Sequence, residues 1–471
     1  MQKTGSDLTR MTVAELAHGF RTKAFSPVEA TQAALDRIAA LNGKVNAFVF
    51  VDAEGALAAA KASQARWLRG EPLGPVDGVT ASVKELLLAK GWPIRRCSLA
   101  TPADGIANED APTVARLRES GAVMLGKTNS PEFGWKGTTD NRLYGATHNP
   151  WDISRTSGGS SGGAAAAAAL GMGVLHLGTD GGGSIRIPAA FSGIFGLKPT
   201  FGRVPVYPLS KFGMTSHAGP MTRGVEDGTM LLDVLAQPDP RDWFSLPASG
   251  VRYVDRLKDG VKGLRIAYSP TLGFAKVDPE IAALVEAAAM TFESLGADLE
   301  LVDHVMDDPT DIFRKIWATG CAHSVAAFPK EAQADMDPGL VALAAYGASL
   351  EHMAYMDADY ARGLLGGQMN LFHQRYDLLL TPAEPIAAFA IEKQVDRPEQ
   401  KTWIDWTPFT FPFNLTGQPA ASIPCGFTKA GLPAGLQIVG RRYEDDTVLR
   451  ACSAFEATQP AGMPALLSKD G

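Results

Sequence analysis

Three stretches of the chain set reactive side chains among apolar residues or clustered glycines. Lys84 ends the run Thr80-Ala81-Ser82-Val83-Lys84. The surrounding 76–88 segment is apolar and strand-like, and alternation along a strand points Lys84 away from Val83. A lysine is most often a solvated surface cation, which a place inside an apolar strand does not suit. The other two stretches are Gly158-Gly159-Ser160-Ser161-Gly162-Gly163 and Gly178-Thr179-Asp180-Gly181-Gly182-Gly183-Ser184-Ile185-Arg186. Taken singly, they read equally as a flexible turn and as a tight turn between strand and helix. A serine hydroxyl becomes a nucleophile only with a base in hydrogen-bond reach. Lysine is such a base when burial or nearby cations lower its pKa from about 10.4. A second hydroxyl between the two can relay one proton, because it both donates and accepts.

Two further motifs match familiar patterns in the wrong context. Residues 121–128 fit the phosphate-loop pattern letter for letter. However, Gly121 closes a helix over 113–120, and apolar Ala122–Leu125 reads as a buried strand where the phosphate-binding loop should be. Gly159-Ser160-Ser161-Gly162-Gly163 fits the nucleophile elbow with Ser161 at its centre. That elbow follows a buried strand, whereas 149–158 reads as a polar loop, and nothing marks His323, His352 or His373 as a partner.

The segment from Gly158 to Arg203 resembles the amidase signature family almost residue for residue. Ser160 and Ser184 are 24 residues apart and Lys84 precedes Ser184 by 100, as in that family. Residues 127–133, 219–227 and 414–426 resemble further landmarks. The likeness spans roughly 10–460, is most specific over 75–227 and is poorest over 235–375. It implies a mixed central β-sheet covered by helices on both faces. It also implies a triad of nucleophile Ser184, bridging Ser160 with an unusual cis peptide bond, and base Lys84. Gly181, Gly182, Gly183 and Ser184 would converge backbone N–H groups into an oxyanion hole. Asp180 and Arg186 would form a buried ion pair holding that turn, and Gly134 and Trp135 would lie near substrate. Trp151, Trp403, Trp406 and Phe409 are further candidates for an apolar pocket. Relatives often carry a bulkier residue at Gly181 and a Cys at Ser192, so the third glycine should leave room beside the oxyanion hole.

The implied activity is cofactor-independent cleavage of amide C–N bonds through an acyl-enzyme, extending to carbamates (urethanes) and esters. The nearest likenesses are aryl acylamidases and hydrolases of urethanes or nylon oligomers. The alternative is a glutaminase-type component of a glutamine amidotransferase complex, which needs a partner protein and sites for the glutamine α-carboxylate and α-amine. A scaffold that lost its chemistry would not be expected to keep all three triad residues.

These residues need a frame. Thr12 with Glu15, and Ser26-Pro27 with Glu29, read as capping boxes opening helices, the second ending at Asn42-Gly43. Ala164–Leu177 reads as one buried helix. Residues 221–236 and 278–296 read as helices and 305–375 as largely helical. Strands are expected at 264–268, 378–381, 419–427 and 435–440. This alternation argues for an α/β protein. The expected organisation is an N-terminal helical segment 1–70, a signature core 71–230, a variable substrate-pocket region 231–390 and a C-terminal part 391–471 completing the core, all within one compact domain.

Composition narrows the function further. Hydrophobic residues make up 45% and charged residues 20%, which excludes disorder. A net charge of −7 lacks the basic footprint of a nucleic-acid or anionic-membrane binder. The N-terminus shows no secretory pattern and no stretch is long enough to span a bilayer. Four scattered cysteines and the histidine spacing suggest neither metal site nor disulfide framework, and a cytoplasmic setting is expected. The partner expected is a small-molecule amide or carbamate, with a homodimer as the assembly considered.

Overall fold

A computed structural model describes residues 7–459 and 462–468. Met1–Ser6 and the last three residues, which belong to the 1–70 and 391–471 segments, lie outside the described residues. The strands are β1 (Phe48–Val51), β2 (Thr80–Lys84), β3 (Val123–Thr128), β4 (Leu175–Asp180), β5 (Phe195–Lys198), β6 (His217–Thr222), β7 (Arg265–Tyr268), β8 (Asp298–Leu301), β9 (Leu378–Pro382), β10 (Ala420–Phe427) and β11 (Pro433–Gly440). They form one sheet in the order β1-β3-β2-β4-β6-β5-β10-β11-β9-β7-β8. All four sequence segments contribute strands to it. Pairing is parallel for β2 with β3 and β4, and for β7 with β8 and β9. The remaining pairs are antiparallel.

Alternation along the strands shows how both faces are covered. Ala81, Val83, Leu175, Leu177, Ile266, Leu378, Leu380, Ile423, Leu436 and Ile438 enter one hydrophobic cluster. Ala267, Leu379, Ala420 and Val439, one residue out of phase, enter another. Lys84 follows Val83 and therefore faces away from the larger cluster. On its side lies the all-buried helix Gly162–Leu170, whose six alanines let it pack closely. β2 and β11 are buried throughout and β4 nearly so, while β8 at one edge is largely exposed.

Both capping boxes form. Thr12 opens Val13–Thr22 and Ser26 opens Pro27–Val45. Three expected boundaries shift. The second helix passes Asn42-Gly43 and ends at Val45, with Asn46 as a left-handed cap (φ 51°). Asn42 stays helical because its side chain serves the next turn, accepting from the Ala47 and Phe48 amides. The run Ala164–Leu177 is not one helix. It ends at Gly171 (φ 68°), turns through Gly173 (φ 113°) and continues as β4. The 221–236 segment divides likewise into the end of β6 and a helix over Val225–Leu235.

Candidate active site

The parallel strands β2 and β4 lie side by side, with Val83 opposite Leu177. Their C-terminal ends therefore bring Lys84 next to Thr179 and Asp180. Lys84 is fully buried, and its Nζ lies 2.7 Å from Ser160 Oγ, 2.8 Å from Ser161 Oγ and 2.9 Å from Thr179 Oγ1. Burial lowers its pKa from 10.5 to about 7, although the Asp180 carboxylate pulls the other way. Ser161 Oγ donates to the Thr179 carbonyl at 3.1 Å, so its proton is already committed. A neutral Lys84 can then donate to Ser161 and Thr179 and accept from Ser160.

Ser160 precedes the Gly162–Leu170 helix, and the Gly159–Ser160 peptide is cis. Ser184 lies on the loop after β4, and its carbonyl accepts from Ser161 N at 3.1 Å, which binds the two loops together. Ser160 and Ser184 line one cavity of about 370 Å³. Ser184 Oγ has no hydrogen-bond partner among the described residues, so its link to Ser160 is open here. Such links are often loose without substrate.

Asp180 and Arg186, both fully buried, shape the glycine loop. Asp180 Oδ1 accepts from Gly183 N at 2.8 Å and Arg186 NH2 at 2.9 Å, while Oδ2 accepts from Ile185 N at 3.1 Å and Arg186 Nε at 3.0 Å. Burial alone would raise the Asp180 carboxyl, but Arg186 overrides it and holds the group well below the usual carboxylate range. Of the four predicted oxyanion donors, Gly183 N is thus occupied. Among the described residues no acceptor takes the amides of Gly181, Gly182 or Ser184, and Gly181 and Ser184 line the cavity.

Gly134 stands in the cavity wall, and a Cβ there would lie 3.4 Å from Ser160 Oγ. Trp135 is not in the wall. Its carbonyl accepts from Trp317 Nε1 at 3.0 Å and its own indole reaches Asp337. Trp151, Trp403, Trp406 and Phe409 also lie outside the lining. The aromatic wall consists of Phe133, Tyr207, Phe212, Trp317 and Phe328. Sequence reasoning missed these residues, together with Thr179, because single aromatics and threonines carry no spacing signal. Thr179 becomes legible only when β2 and β4 are known to pair. The lining also draws more on the 206–217 loop than on the 235–375 region.

The room expected beside Gly181 is filled. A Cβ there would come within 2.8 Å of the Trp317 ring. Phe212 stacks on that ring with centroids 4.0 Å apart and Phe313 with centroids 5.4 Å apart, which limits how far the indole can yield. Gly181→Ala is therefore expected to displace the loop and lower kcat by about 10²–10³, the loss typical of an oxyanion donor. Trp317→Leu in the same chain should recover part of it, a double-variant comparison that steady-state kinetics reads directly.

The Amidase family profile matches residues 29–449. An acylamidase of Rhodococcus erythropolis is 38% identical, with 97% of each chain covered. The glutamyl-tRNA(Gln) amidotransferase component of Moorella thermoacetica that aligns with this chain is 37% identical over 96% of this chain and 97% of that one. The solved structure of a bacterial aryl acylamidase of the amidase signature family superposes with a TM-score of 0.90 at 32% identity, covering 97% of both chains. The chain belongs to the amidase signature family, whose enzymes act on amide C–N bonds. Among the described residues no helix is long and apolar enough to cross a membrane, and no group of three or more His, Cys, Asp or Glu is placed to hold a metal ion.

Proposed function

We propose that the chain is a cofactor-independent serine hydrolase that cleaves amides through an acyl-enzyme on Ser184. The observation that carries this is the buried Lys84 amine 2.7 Å from Ser160 Oγ, at the cavity into which Ser184 opens. Ser184 Oγ attacks the carbonyl carbon and passes its proton to Ser160, which passes its own to neutral Lys84. The amides of Gly181, Gly182 and Ser184 hold the developing oxyanion. As the tetrahedral adduct collapses, Lys84 returns a proton through Ser160 to the leaving nitrogen. Water then attacks the acyl carbon by the same relay and frees Ser184. Carbamates and esters present the same acyl carbon, so the reading extends to urethanes. The four cysteines, all free and buried, fit a cytoplasmic setting. The four segments, joined by one sheet, are read as a single compact domain.

Likeness to the glutamyl-tRNA(Gln) amidotransferase component supports a second reading, as a glutaminase. Glutamine brings an ammonium that needs a free carboxylate. Asp180, the only carboxylate in the cavity lining among the described residues, is taken up by Arg186 and backbone amides. That counts against glutamine as substrate.

A fluorophosphonate, which reacts fast only with an activated serine, tests the reading alongside anilide hydrolysis by the isolated chain. Ser184→Ala is expected to abolish both labelling and turnover. Ser161→Ala removes one hydrogen bond to Lys84 and should retain labelling, with turnover reduced about tenfold. Labelling that survives Ser184→Ala and vanishes with Ser161→Ala would restore the elbow reading instead.

A further inference from the structure

Two cations stand in the cavity wall and the proposed chemistry uses neither. Arg96 and Lys211 both line the cavity. Among the described residues the Arg96 guanidinium makes no hydrogen bond or ion pair. The carboxylate that acts on it, Glu85, is engaged elsewhere: it accepts from Arg95 N at 2.6 Å and sits 3.9 Å from Lys127 Nζ. Lys211 Nζ donates only to the His323 carbonyl at 3.1 Å. Burial and Arg96 both push the Lys211 amine downward, so the two charges feel one another. His217, the other titratable base in the lining, is held neutral by burial and by Lys198. Among the described residues the wall therefore presents two cations with no hydrogen-bonded or ion-paired carboxylate, Glu85 acting on Arg96 only through its field, and no free anion in the lining.

The backbone holds Arg96 in place. Arg96, Cys97 and Phe133 all adopt left-handed conformations, with φ of 48°, 53° and 51°. Non-glycine residues are strained there, and such strain clusters at ligand sites. Phe133 N donates to the Arg96 carbonyl at 3.0 Å, so the two strained turns brace one another. Gly134, the next residue, faces Ser160 so closely that a Cβ on it would lie 3.4 Å from Ser160 Oγ. Lys211 is anchored from the other side through Phe212, which stacks on Trp317 against Gly181. Arg96 is thus tied through Phe133 to the Gly134 wall beside Ser160, and Lys211 through Phe212 and Trp317 to the Gly181 loop.

We propose that Arg96 and Lys211 form a carboxylate subsite, and that the preferred substrates are amides bearing an anionic group. These are half-amides of dicarboxylic acids or amides of aminocarboxylic acids. This rests on the hydrolase reading above and narrows it. A carboxylate relieves the repulsion between the two cations, and guanidinium geometry suits bidentate capture. The lining offers no free carboxylate to an accompanying ammonium, so glutaramate should be preferred to glutamine, which differs from it by that one group.

The test compares three anilides of matched size: a neutral acyl p-nitroanilide, glutaryl-p-nitroanilide with the carboxylate on the acyl side, and an N-acyl aminobenzoate with it on the leaving amine. One of the charged pair is expected to exceed the neutral compound about tenfold or more in kcat/KM, mainly through KM, as a charged hydrogen bond warrants. Which one does so locates the subsite on the acyl or the amine side. Arg96→Gln should collapse the charged-to-neutral ratio, Arg96→Lys should retain most of it, and Lys211→Gln at the exposed rim should reduce it. Arg96→Glu should turn the preference toward an ammonium-bearing anilide. Calorimetric binding of glutaryl anilide to the Ser184→Ala chain reads the subsite without turnover, and adding Arg96→Gln should weaken it. Hydrolysis failing while this binding persists would overturn the catalytic reading alone. Robust hydrolysis with no preference for the anion, or a ratio unmoved by Arg96→Gln, would overturn the subsite.

Discussion

Lys84→Met is expected to lower kcat on the order of 10⁴-fold, and Lys84→Arg to be equally inactive at every pH. The two variants separate a base from a fixed charge. Arginine keeps the cation but stays protonated throughout the accessible range, so only a requirement for a neutral amine silences both. The size follows from proton transfer, typically worth about 10²–10⁴, joined to a nucleophile that fails without it. The wild-type pH profile carries the same information. The Lys84 pKa is lowered from 10.5 to about 7 by burial. With the neutral amine as the proposed base, kcat/KM should rise about tenfold per pH unit below 7 and level off above it. Cys97 adds no opposing charge at neutral pH, since burial keeps its thiol protonated. Asp180 does oppose the shift, but its field is already compensated by Arg186. A rate that is flat between pH 5.5 and 8.5, or substantial activity with arginine at 84, would remove lysine from the base role.

What the sequence made legible follows from how each feature is encoded. Lys84 stood out because a cation inside an apolar strand conflicts with its surroundings, and the two glycine-flanked serines because their spacing is rigidly kept. The structure brings Lys84 and Ser160 into contact and opens Ser184 into the same cavity. Local signals such as the capping boxes at Thr12 and Ser26 were readable because they depend on four consecutive residues. The apolar run 164–177 was misread because a buried alanine helix and a buried strand share one composition, and only Gly171 and Gly173 separate them. The cavity wall was illegible for another reason. Arg96, Tyr207, Trp317 and Phe328 are far apart in the chain, and nothing in their spacing announces that β2, β4 and the helix over Thr310–Val325 converge. Trp135 and Trp403 were reasonable candidates by type, yet they support the wall from behind through Trp317.

Breaking the ion pair under the oxyanion loop should have the largest effect on the fold. Arg186 uses every N–H it has: two on Asp180, and the rest on Thr410 O, Gln437 Oε1 and Asn414 Oδ1 at 2.6–2.8 Å. Arg186→Met leaves Asp180 as an uncompensated buried charge, and the expected loss in a urea unfolding curve is about 3–5 kcal/mol. Asp180→Asn alone strands Arg186 in the same way. The double variant should lose clearly less than the sum of the two, because neither charge then remains unpaired. Activity should behave otherwise. The double variant still lacks the carboxylate that fixes Gly183 N and Ile185 N. The neighbouring amides lose their aim, and kcat should stay down by about 10²–10³. The pH dependence has a definite sign. Because the folded Asp180 carboxyl is held below its unfolded value, its contribution is complete above about pH 4 and is lost as the pH falls further. Strict additivity of the two single losses would show that the pair does not act as a unit. A double variant that regained full turnover would show that the glycine loop holds its catalytic shape without the pair.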